Sequence, residues 1–179
     1  MQIDDQQPLQ PEQPSISLQT EVHGQKEAWM RRAIDLATAN VASGSGGPFG
    51  AVIVRGEAVL AEGANQVVAT HDPTAHAEIV AMRRAAAALG SFELRGCQIY
   101  SSCEPCPMCL AAIHWARLDC IYYGSTAEDA AAAGFDDARL YGQFQLDRDL
   151  RSIPSVPLLR QEAGASFAAW SASPLRVEY

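Results

Sequence analysis

The sequence lacks long apolar runs and is short of positive charge. No run reaches the length of about 18 apolar residues that a membrane-spanning helix needs. Lys and Arg number 13 against 21 Asp and Glu, which gives a formal net charge of -8. Because binding a polyphosphate backbone requires a concentrated positive surface, this balance disfavours nucleic acid as a partner. The first residues, MQIDDQQPLQ, also lack the positive and apolar regions of a signal peptide, so we expect a cytoplasmic protein without a membrane partner.

Cysteines are few and unevenly spread, which disfavours a disulfide framework. Of the five, Cys103, Cys106 and Cys109 lie together in the stretch SSCEPCPMC. Such crowding is typical of a metal or redox site in a reducing compartment. Three thiolates and a histidine would make a closed, structural zinc site, whereas two thiolates and a histidine would leave one coordination position for chemistry. Whether one of the three cysteines stays out of the metal site therefore decides between a structural zinc module and an enzyme.

Length and composition predict one folded domain. The chain has 179 residues, 48% of them hydrophobic, which suffices for one buried core and leaves no room for a second. Residues 1–23 are rich in Gln and Pro and carry only scattered apolar residues. We therefore predict a disordered arm there and a single domain over residues 24–179.

The pattern of apolar residues predicts strands that alternate with helices, and hence a layered α/β domain. A helix is predicted from Gln25, a hairpin from Ala51, and a second helix with Thr74 as its N-cap. Strands are predicted at CQIYSS and DCIYYG, on either side of a helix that starts near Pro107. Further along, TAEDAAAAG and ASFAAWSA are predicted to be helical and VPLLRQ to be a fifth strand.

A helix beginning near Pro107 would place Cys106 and Cys109 at its positive N-terminal end. Thiolates are stabilised at such a position, which favours this pair as metal ligands. Cys103 lies on the other side of Pro105 and has no fixed relation to the pair, so we expect it not to bind. Taken alone, a Cys-x-x-Cys pair is equally typical of a redox pair or of buried thiols. A metal site therefore needs a further ligand from elsewhere in the chain.

The stretch HAE supplies that ligand in this interpretation. His76 would complete three protein ligands on zinc, and Glu78 would be the proton carrier that a catalytic site needs and a structural site does not. Residues two apart on a helix point about 200° from each other, so both can face an ion only if it lies beyond the first turn. His114 competes as a ligand, but it lies eight residues past Cys106, about 12 Å along the helix axis. Taken alone, His76 is equally typical of a core histidine and Glu78 of a solvated acid at a helix start.

Together, HAE and PCPMC match the His-x-Glu and Pro-Cys-x-x-Cys signature of zinc-dependent base deaminases. With GGPFGAVIV, DPTAHAE, AAGFDD and the closing dipeptide EY, the sequence beyond its N-terminal arm resembles the cytidine deaminase-like superfamily and, within it, the bacterial guanine deaminases. The resemblance implies a three-layer α/β/α fold with a mixed central sheet of about five strands flanked by helices. It also implies hydrolytic deamination of guanine to xanthine and ammonia, with one zinc ion per chain held by His76, Cys106 and Cys109.

The same resemblance implies further site residues and a partner. Glu78 would shuttle protons, and Asp137 would relay a proton to the leaving amino group. The residues implied in binding the purine base are Asn65, Phe49, Ala77, Trp115 and Tyr179. The protein would be a homodimer whose C-terminal segments are exchanged, so that Tyr179 covers the pocket of the partner. Without the resemblance, most of these residues would be assigned to turns, to the core or to a helix cap.

Three other functions fit parts of the pattern. A guanosine deaminase shares much of the motif set but must admit a ribose. A tRNA adenosine deaminase fits HDPTAHAEI, although the negative net charge and the stretches GGPFG and GFDD disfavour it. A zinc-stapled or redox module without catalysis would need Cys103 as a fourth zinc ligand or in a disulfide.

Overall fold

In the computed structural model of the chain, residues 16–135 and 137–178 are described, except for the side chains of residues 16–22 and of residue 138. The helices and strands are α1 (Ile16–Ala42), β1 (Gly50–Arg55), β2 (Ala58–Ala64), α2 (Val67–Thr70), α3 (Ala77–Leu89), β3 (Cys97–Cys103), α4 (Pro107–Trp115), β4 (Cys120–Ser125), α5 (Ala127–Ala132), α6 (Asp137–Gln145) and α7 (Arg160–Ala172). A short 3-10 helix lies at Arg148–Leu150. No described helix combines the length and the apolarity that crossing a bilayer requires.

The strands form one mixed sheet in the order β2-β1-β3-β4. β1 pairs antiparallel with both β2 and β3, whereas β3 and β4 run parallel. The hairpin between β1 and β2 turns at Gly56, whose φ of 59° is a left-handed conformation that glycine adopts without steric cost. The predicted α/β class with a mixed sheet is confirmed, but the part of the chain that the structure describes contributes four strands and not about five.

The predicted fifth strand, VPLLRQ, is wrong. Helix α7 begins within this stretch, at Arg160, and the residues before it lie outside the sheet. Val156 and Leu158 are among the most exposed apolar residues of the chain. A short apolar run indicates a segment that favours burial, but it does not provide the neighbouring strand with which that segment must pair.

Helices cover both faces of the sheet. The residues of β1 are buried from Gly50 to Val54, which makes it a central strand. Ile53 belongs to the cluster that includes Ala81 of α3, on one face. Val52 and Val54 belong to the cluster that includes Trp29 of α1, on the other face. Because alternate residues of a strand point to opposite faces, β1 contributes to both clusters, and the helices on the two faces give the predicted α/β/α layers.

A glycine allows β2 to lie directly against the start of α3. A Cβ atom at Gly63 would clash with the carbonyl oxygen of Ala77 and would lie 2.7 Å from the amide nitrogen of Ala81. The first turn of α3 is therefore held close to the sheet, and this is the turn that contains Glu78.

The first helix begins earlier than the sequence predicted. α1 starts at Ile16 and not near Gln25, so the predicted arm over residues 1–23 overlaps the helix. Residues 1–15 lie outside the described residues, and a disordered arm remains a prediction for them. The stretches TAEDAAAAG and ASFAAWSA contribute to α5 and α7, as predicted.

Thr74 is not the N-cap of α3, because the helix begins at Ala77 and His76 occupies the cap position. The Oδ1 atom of Asp72 accepts hydrogen bonds from the amide nitrogen of Thr74, at 2.8 Å, and from its hydroxyl, at 2.7 Å. The threonine side chain is thus engaged in the turn that precedes the helix, a local alternative to capping that Asp and Thr commonly form.

Candidate metal centre and active site

Two helix N-termini bring the candidate metal ligands together. Cys106 is the N-cap of α4, and Pro107 follows in the first turn, as predicted. His76 is the N-cap of α3. The Nδ1 atom of His76 lies 3.6 Å from the Sγ atom of Cys106 and 3.6 Å from that of Cys109.

The spacing of these three ligand atoms fits zinc. A Zn–N bond of about 2.1 Å and a Zn–S bond of about 2.3 Å at a tetrahedral angle place nitrogen and sulfur about 3.6 Å apart. The histidine-to-cysteine distances match this value, and all three ligand atoms lie within 4.8 Å of one another. The group can therefore hold one ion with three protein ligands, which leaves the fourth tetrahedral position open.

The competing ligands stay outside this group. The thiol of Cys103 is 3.5 Å from the carbonyl oxygen of Thr126, to which it donates a hydrogen bond, and Cys103 is a free cysteine. His114 is exposed near the far end of α4. Among the described residues, the group that could bind a metal consists of the predicted ligands His76, Cys106 and Cys109.

The angular conflict expected between His76 and Glu78 does not arise. The backbone of His76 is extended, with φ of -67° and ψ of 156°, and it precedes the first helical residue. The rotation of about 100° per residue that holds inside a helix therefore does not apply to it. Both side chains line the same cavity.

Hydrogen bonds between the ligands control their protonation. The thiol of Cys109 hydrogen-bonds the Cys106 thiolate, and this bond lowers the pKa of Cys106 to about 4. The same bond, together with burial, raises the pKa of Cys109. The hydrogen bond to Cys106 raises the pKa of His76. Because metals bind thiolates and neutral imidazole, metal binding here must release protons.

Glu78 is a buried carboxyl group beside the ligands. Its side chain is 6% exposed, and burial raises its pKa. Its Oε1 atom accepts a hydrogen bond of 3.3 Å from the hydroxyl of Ser101, which is also buried on β3. A carboxyl group whose pKa is raised toward neutrality is suited to general acid–base catalysis.

One cavity of about 280 Å³ opens onto the ligands His76 and Cys106 and onto Glu78. It gathers six of the residues that were predicted as site residues, namely Phe49, Asn65, His76, Glu78, Cys106 and Asp137. Small-molecule sites usually measure about 300 to 1,000 Å³, so this volume suits a small ring compound.

Asn40 fixes the side of the cavity that contains Asn65. The side-chain nitrogen of Asn40 donates hydrogen bonds of 2.9 Å to the carbonyl oxygens of both Gly47 and Asn65. The side-chain oxygen of Asn65 accepts a hydrogen bond of 3.3 Å from the amide nitrogen of Val67. Two separate loops are thereby held together, which keeps Asn65 in place at the cavity wall.

Sequence reasoning missed three residues of the site. Phe135 lines the cavity and packs edge-on against Phe49, with 4.8 Å between ring centroids. Glu104 also lines the cavity, and Ser101 contacts Glu78. A signal was present for each, since Phe135 lies in AAGFDD and the other two are polar residues in SSCEPCPMC.

Three described residues that were predicted as site residues do not line this cavity, namely Ala77, Cys109 and Trp115, although Cys109 is buried within the metal-ligand group. The side chain of Ala77 is buried in the core cluster and does not line the cavity. Trp115 is 60% exposed and ends α4, about 13 Å along the helix axis from Cys106. Trp115 thus does not line the cavity of its own chain, and its part in binding the base stays a prediction. Tyr179 lies outside the described residues.

A match to a known family agrees with this geometry. Residues 23–125 match the profile described as the cytidine and deoxycytidylate deaminase zinc-binding region. This range is more than half of the chain, and it includes all three candidate ligands and Glu78. The chain therefore belongs to the cytidine and deoxycytidylate deaminase family of zinc-binding proteins.

Within this family, the chain is similar to guanine deaminases. It is 46% identical over 153 residues to a guanine deaminase of Bacillus subtilis (strain 168), which covers 86% of this chain and 98% of the relative. The X-ray structure of guanine deaminase from Bacillus subtilis superposes with a TM-score of 0.83 over 86% of this chain and 98% of that chain. A guanine deaminase structure from Nitrosomonas europaea has a TM-score of 0.59 at 30% identity, over 82% of this chain and 85% of that chain.

The sequence match to one tRNA deaminase is shorter. A tRNA-specific adenosine deaminase of Agrobacterium fabrum (strain C58) is 46% identical over 78 residues, which is 44% of this chain and 51% of the relative. The matched part is thus about half as long as the match to the Bacillus subtilis protein.

Proposed function

We propose that this protein is a guanine deaminase that hydrolyses guanine to xanthine and ammonia. The observation that carries the proposal is one small cavity in which the metal ligands His76 and Cys106 and the buried acid Glu78 lie together with Asn65 and Asp137. The similarity to a guanine deaminase along 98% of that protein's length supports this substrate over those of other family members.

Glu78 moves the proton in the first step, beside the residues that would hold the metal. His76, Cys106 and Cys109 would hold zinc, which when bound would supply a water of lowered pKa as the nucleophile at neutral pH. Glu78 accepts a proton from the attacking water and delivers it to the ring nitrogen next to C2 of guanine. Its burial supports this role, because a raised pKa lets the same carboxyl group both accept and donate a proton.

Asp137 serves the departure of the amino group. The water provides the oxygen that remains on C2, one of its protons ends on the ring nitrogen, and the other ends on the amino group, which leaves as ammonia. Asp137 lines the cavity together with Glu78, which supports a second proton path to the amino group. Asn65 hydrogen-bonds the base, and the rings of Phe49 and Phe135 form the apolar wall against which it lies.

The size of the cavity favours the free base over the nucleoside. A volume of about 280 Å³ accepts a purine but crowds an attached ribose. Guanosine is therefore the poorer substrate. The net charge of -8 likewise disfavours a tRNA substrate, whose phosphates require a positive surface.

We also propose that the protein acts in the cytoplasm as a homodimer whose C-terminal segments are exchanged. From Phe144 to Glu178, every residue except Ser173 is exposed within one chain. Several of these residues are large and apolar, among them Ile153, Val156, Leu158, Phe167 and Leu175. An apolar surface of this extent favours burial against a partner, and exchange of an identical segment is a low-cost route to a symmetric dimer.

The exchanged segment completes the site in this proposal. Tyr179 covers the cavity of the partner and excludes water from it, which strengthens the electrostatic interactions around the zinc ion. Trp115 lines a groove with Phe167 and Trp170 of α7, so it belongs to the surface on which the C-terminal segment packs. The free thiols of the ligands suit a reducing compartment such as the cytoplasm.

A direct assay tests the function. The purified, zinc-loaded protein is incubated with guanine, guanosine, adenine, cytosine and cytidine, and ammonia release and product identity are followed. Xanthine from guanine, with slower turnover of the other compounds, is the expected result. Preferential conversion of guanosine would replace the proposal by a guanosine deaminase. Stoichiometric zinc without any turnover would support a structural module.

A further inference from the structure

The segment from Thr126 to Gln145 contributes Phe135 and Asp137 to the cavity although it is mostly exposed. Ala130 is the residue of this segment that is buried among those described. The ring contact between Phe135 and Phe49 is one contact that holds the segment over the cavity. Polar contacts with the turn between β3 and α4 hold it as well, and this turn also leads into the ligand Cys106.

The first contact lies at the start of α5. The Oε2 atom of Glu104 accepts a hydrogen bond of 3.1 Å from the amide nitrogen of Ala127, the first helical residue. The backbone of Glu104 is fixed in turn, since its amide nitrogen donates a hydrogen bond of 2.8 Å to the carbonyl oxygen of Ser125. Glu104 therefore joins the cavity wall to the beginning of the segment.

The second contact lies on α6. The hydroxyl of Tyr141 donates a hydrogen bond of 2.9 Å to the carbonyl oxygen of Pro105, the residue before Cys106. Tyr141 follows Asp137 by four residues, so the two side chains lie on the same face of α6. A tyrosine hydroxyl, with an ordinary pKa of about 10, is protonated and able to donate at neutral pH.

We propose that Glu104 and Tyr141 are positioning residues that tie the segment Thr126–Gln145 to the metal-ligand turn. Because consecutive residues of that turn hold Ala127, Tyr141 and the metal, the separation between Asp137 and the zinc ligands is set by one short stretch of chain. Catalytic groups must be held within about 0.5 Å of the productive geometry, and contacts of this kind provide that precision. The inference rests on the proposed function for its effect on turnover, but not for its effect on the order of the segment.

Amide hydrogen exchange of the zinc-loaded, full-length protein tests whether the hydrogen bonds of Glu104 and Tyr141 hold the segment Thr126–Gln145 in place. Tyr141→Phe removes one hydroxyl and keeps the ring, and Glu104→Ala removes the acceptor of the Ala127 amide. Both variants are expected to exchange faster over residues 126–145 than the unaltered protein and to be unchanged in the sheet. Glu104→Gln keeps an acceptor oxygen and is expected to restore the protection. Unchanged exchange in Tyr141→Phe would overturn the tie, whatever the substrate of the protein.

Kinetics then test whether the tie acts through Asp137. Tyr141→Phe is expected to lower kcat for guanine by about ten- to a hundredfold with little change in KM and in zinc content. Tyr123→Phe, on the half-exposed face of β4, is the matched control and should leave kcat unchanged. In an Asp137→Asn background, Tyr141→Phe should have little further effect, since coupled residues are not additive.

The kinetic outcomes separate the two proposals. Additive losses in the double variant would overturn the positioning role through Asp137 while leaving guanine deamination intact. An unaltered protein that does not deaminate guanine would overturn the proposed function, and the exchange experiment would still decide the tie.

Discussion

Residues 24–125 and residues 126–178 differ in how far they are buried within one chain. The first region contains the sheet, both core clusters, the three metal ligands and Glu78. In the second region, Ala130 is the buried residue among those that the structure describes. The second region nevertheless supplies Phe135 and Asp137 to the cavity.

This difference separates two tasks of an active site. A metal ion needs ligands at fixed distances, and here the ligands lie at the N-termini of two helices that pack on the sheet. A substrate needs to enter and leave, and segments with few buried apolar contacts open at a lower free energy than a core does. The packed region therefore suits metal binding, and the exposed region suits the walls and cover of the cavity.

Removing a metal ligand should have the largest effect on activity, because the ligands lie in the packed region, residues 24–125. Cys106→Ala and Cys109→Ala are expected to lose zinc and all activity, whereas Cys103→Ala should keep one zinc ion per chain, since its thiol hydrogen-bonds Thr126 instead. Metal analysis after dialysis measures this. Loss of zinc from Cys103→Ala alone would mean that the site is closed by three thiolates.

Glu78→Gln should keep both zinc and fold but lower guanine turnover by about a hundredfold to ten-thousandfold, because the amide cannot carry a proton. Steady-state kinetics and metal content are measured on the same preparation. Glu57→Gln, in the exposed turn between β1 and β2, is the matched control and should behave as the unaltered protein. Near-normal turnover by Glu78→Gln would remove Glu78 from the mechanism.

Deleting residues 177–179 tests whether the end of the exposed region covers the cavity. Zinc should remain bound, guanine turnover should fall by about tenfold, equivalent to about 1.4 kcal/mol in the barrier, and guanosine should gain relative to guanine as the cover is lost. The ratio of kcat/KM for the two substrates measures this. A truncated protein with unchanged turnover and selectivity would show that the tail is not a cover.

The smallest effect should come from an exposed residue of the tail, and it sharpens the comparison when set beside a core residue. Ile53→Ala, in a fully buried position of β1, should lower the free energy of unfolding by about 2 to 5 kcal/mol. Phe167→Ala, 75% exposed on α7, should change it by less than about 0.5 kcal/mol in dilute protein. Urea unfolding at two protein concentrations measures both.

Concentration distinguishes the explanations for the tail. An effect of Phe167→Ala that grows with protein concentration would support burial of α7 in a dimer, because stability that depends on association follows mass action. An effect as large as that of Ile53→Ala in dilute protein would contradict the difference between the two regions.

Features of the site with local causes could be predicted from the sequence. The proline after Cys106 and the three-residue spacing to Cys109 indicated a helix N-terminus with two thiols, and α4 has that form. The motif HAE indicated a histidine ligand and a nearby acid. Its only apparent difficulty, the divergence of His76 and Glu78 on a helix, disappears because His76 precedes the helix.

Features with distant causes could not be predicted. Ser101 reaches Glu78 across 23 positions of the chain, and Tyr141 reaches Pro105 across 36. No spacing rule connects such residues, because each contact depends on where whole helices and strands pack. The prediction of a strand at VPLLRQ was wrong for a related reason. An apolar run indicates a tendency to be buried, but it does not indicate which part of the chain would cover it.

The sequence by itself determined the family motifs, the α/β alternation and the helix start that carries Cys106 and Cys109, because capping, turn and periodicity signals act over a few residues. The tertiary structure alone decided that His76 meets the cysteines, from which it is 30 and 33 positions away, at a distance that fits zinc. It also decided that Trp115 lies away from the cavity and that Glu104 and Phe135 line it. The physical reason is that strand pairing and the packing of α3 and α4 on the sheet are set by burial of the whole core, which no short stretch of sequence encodes.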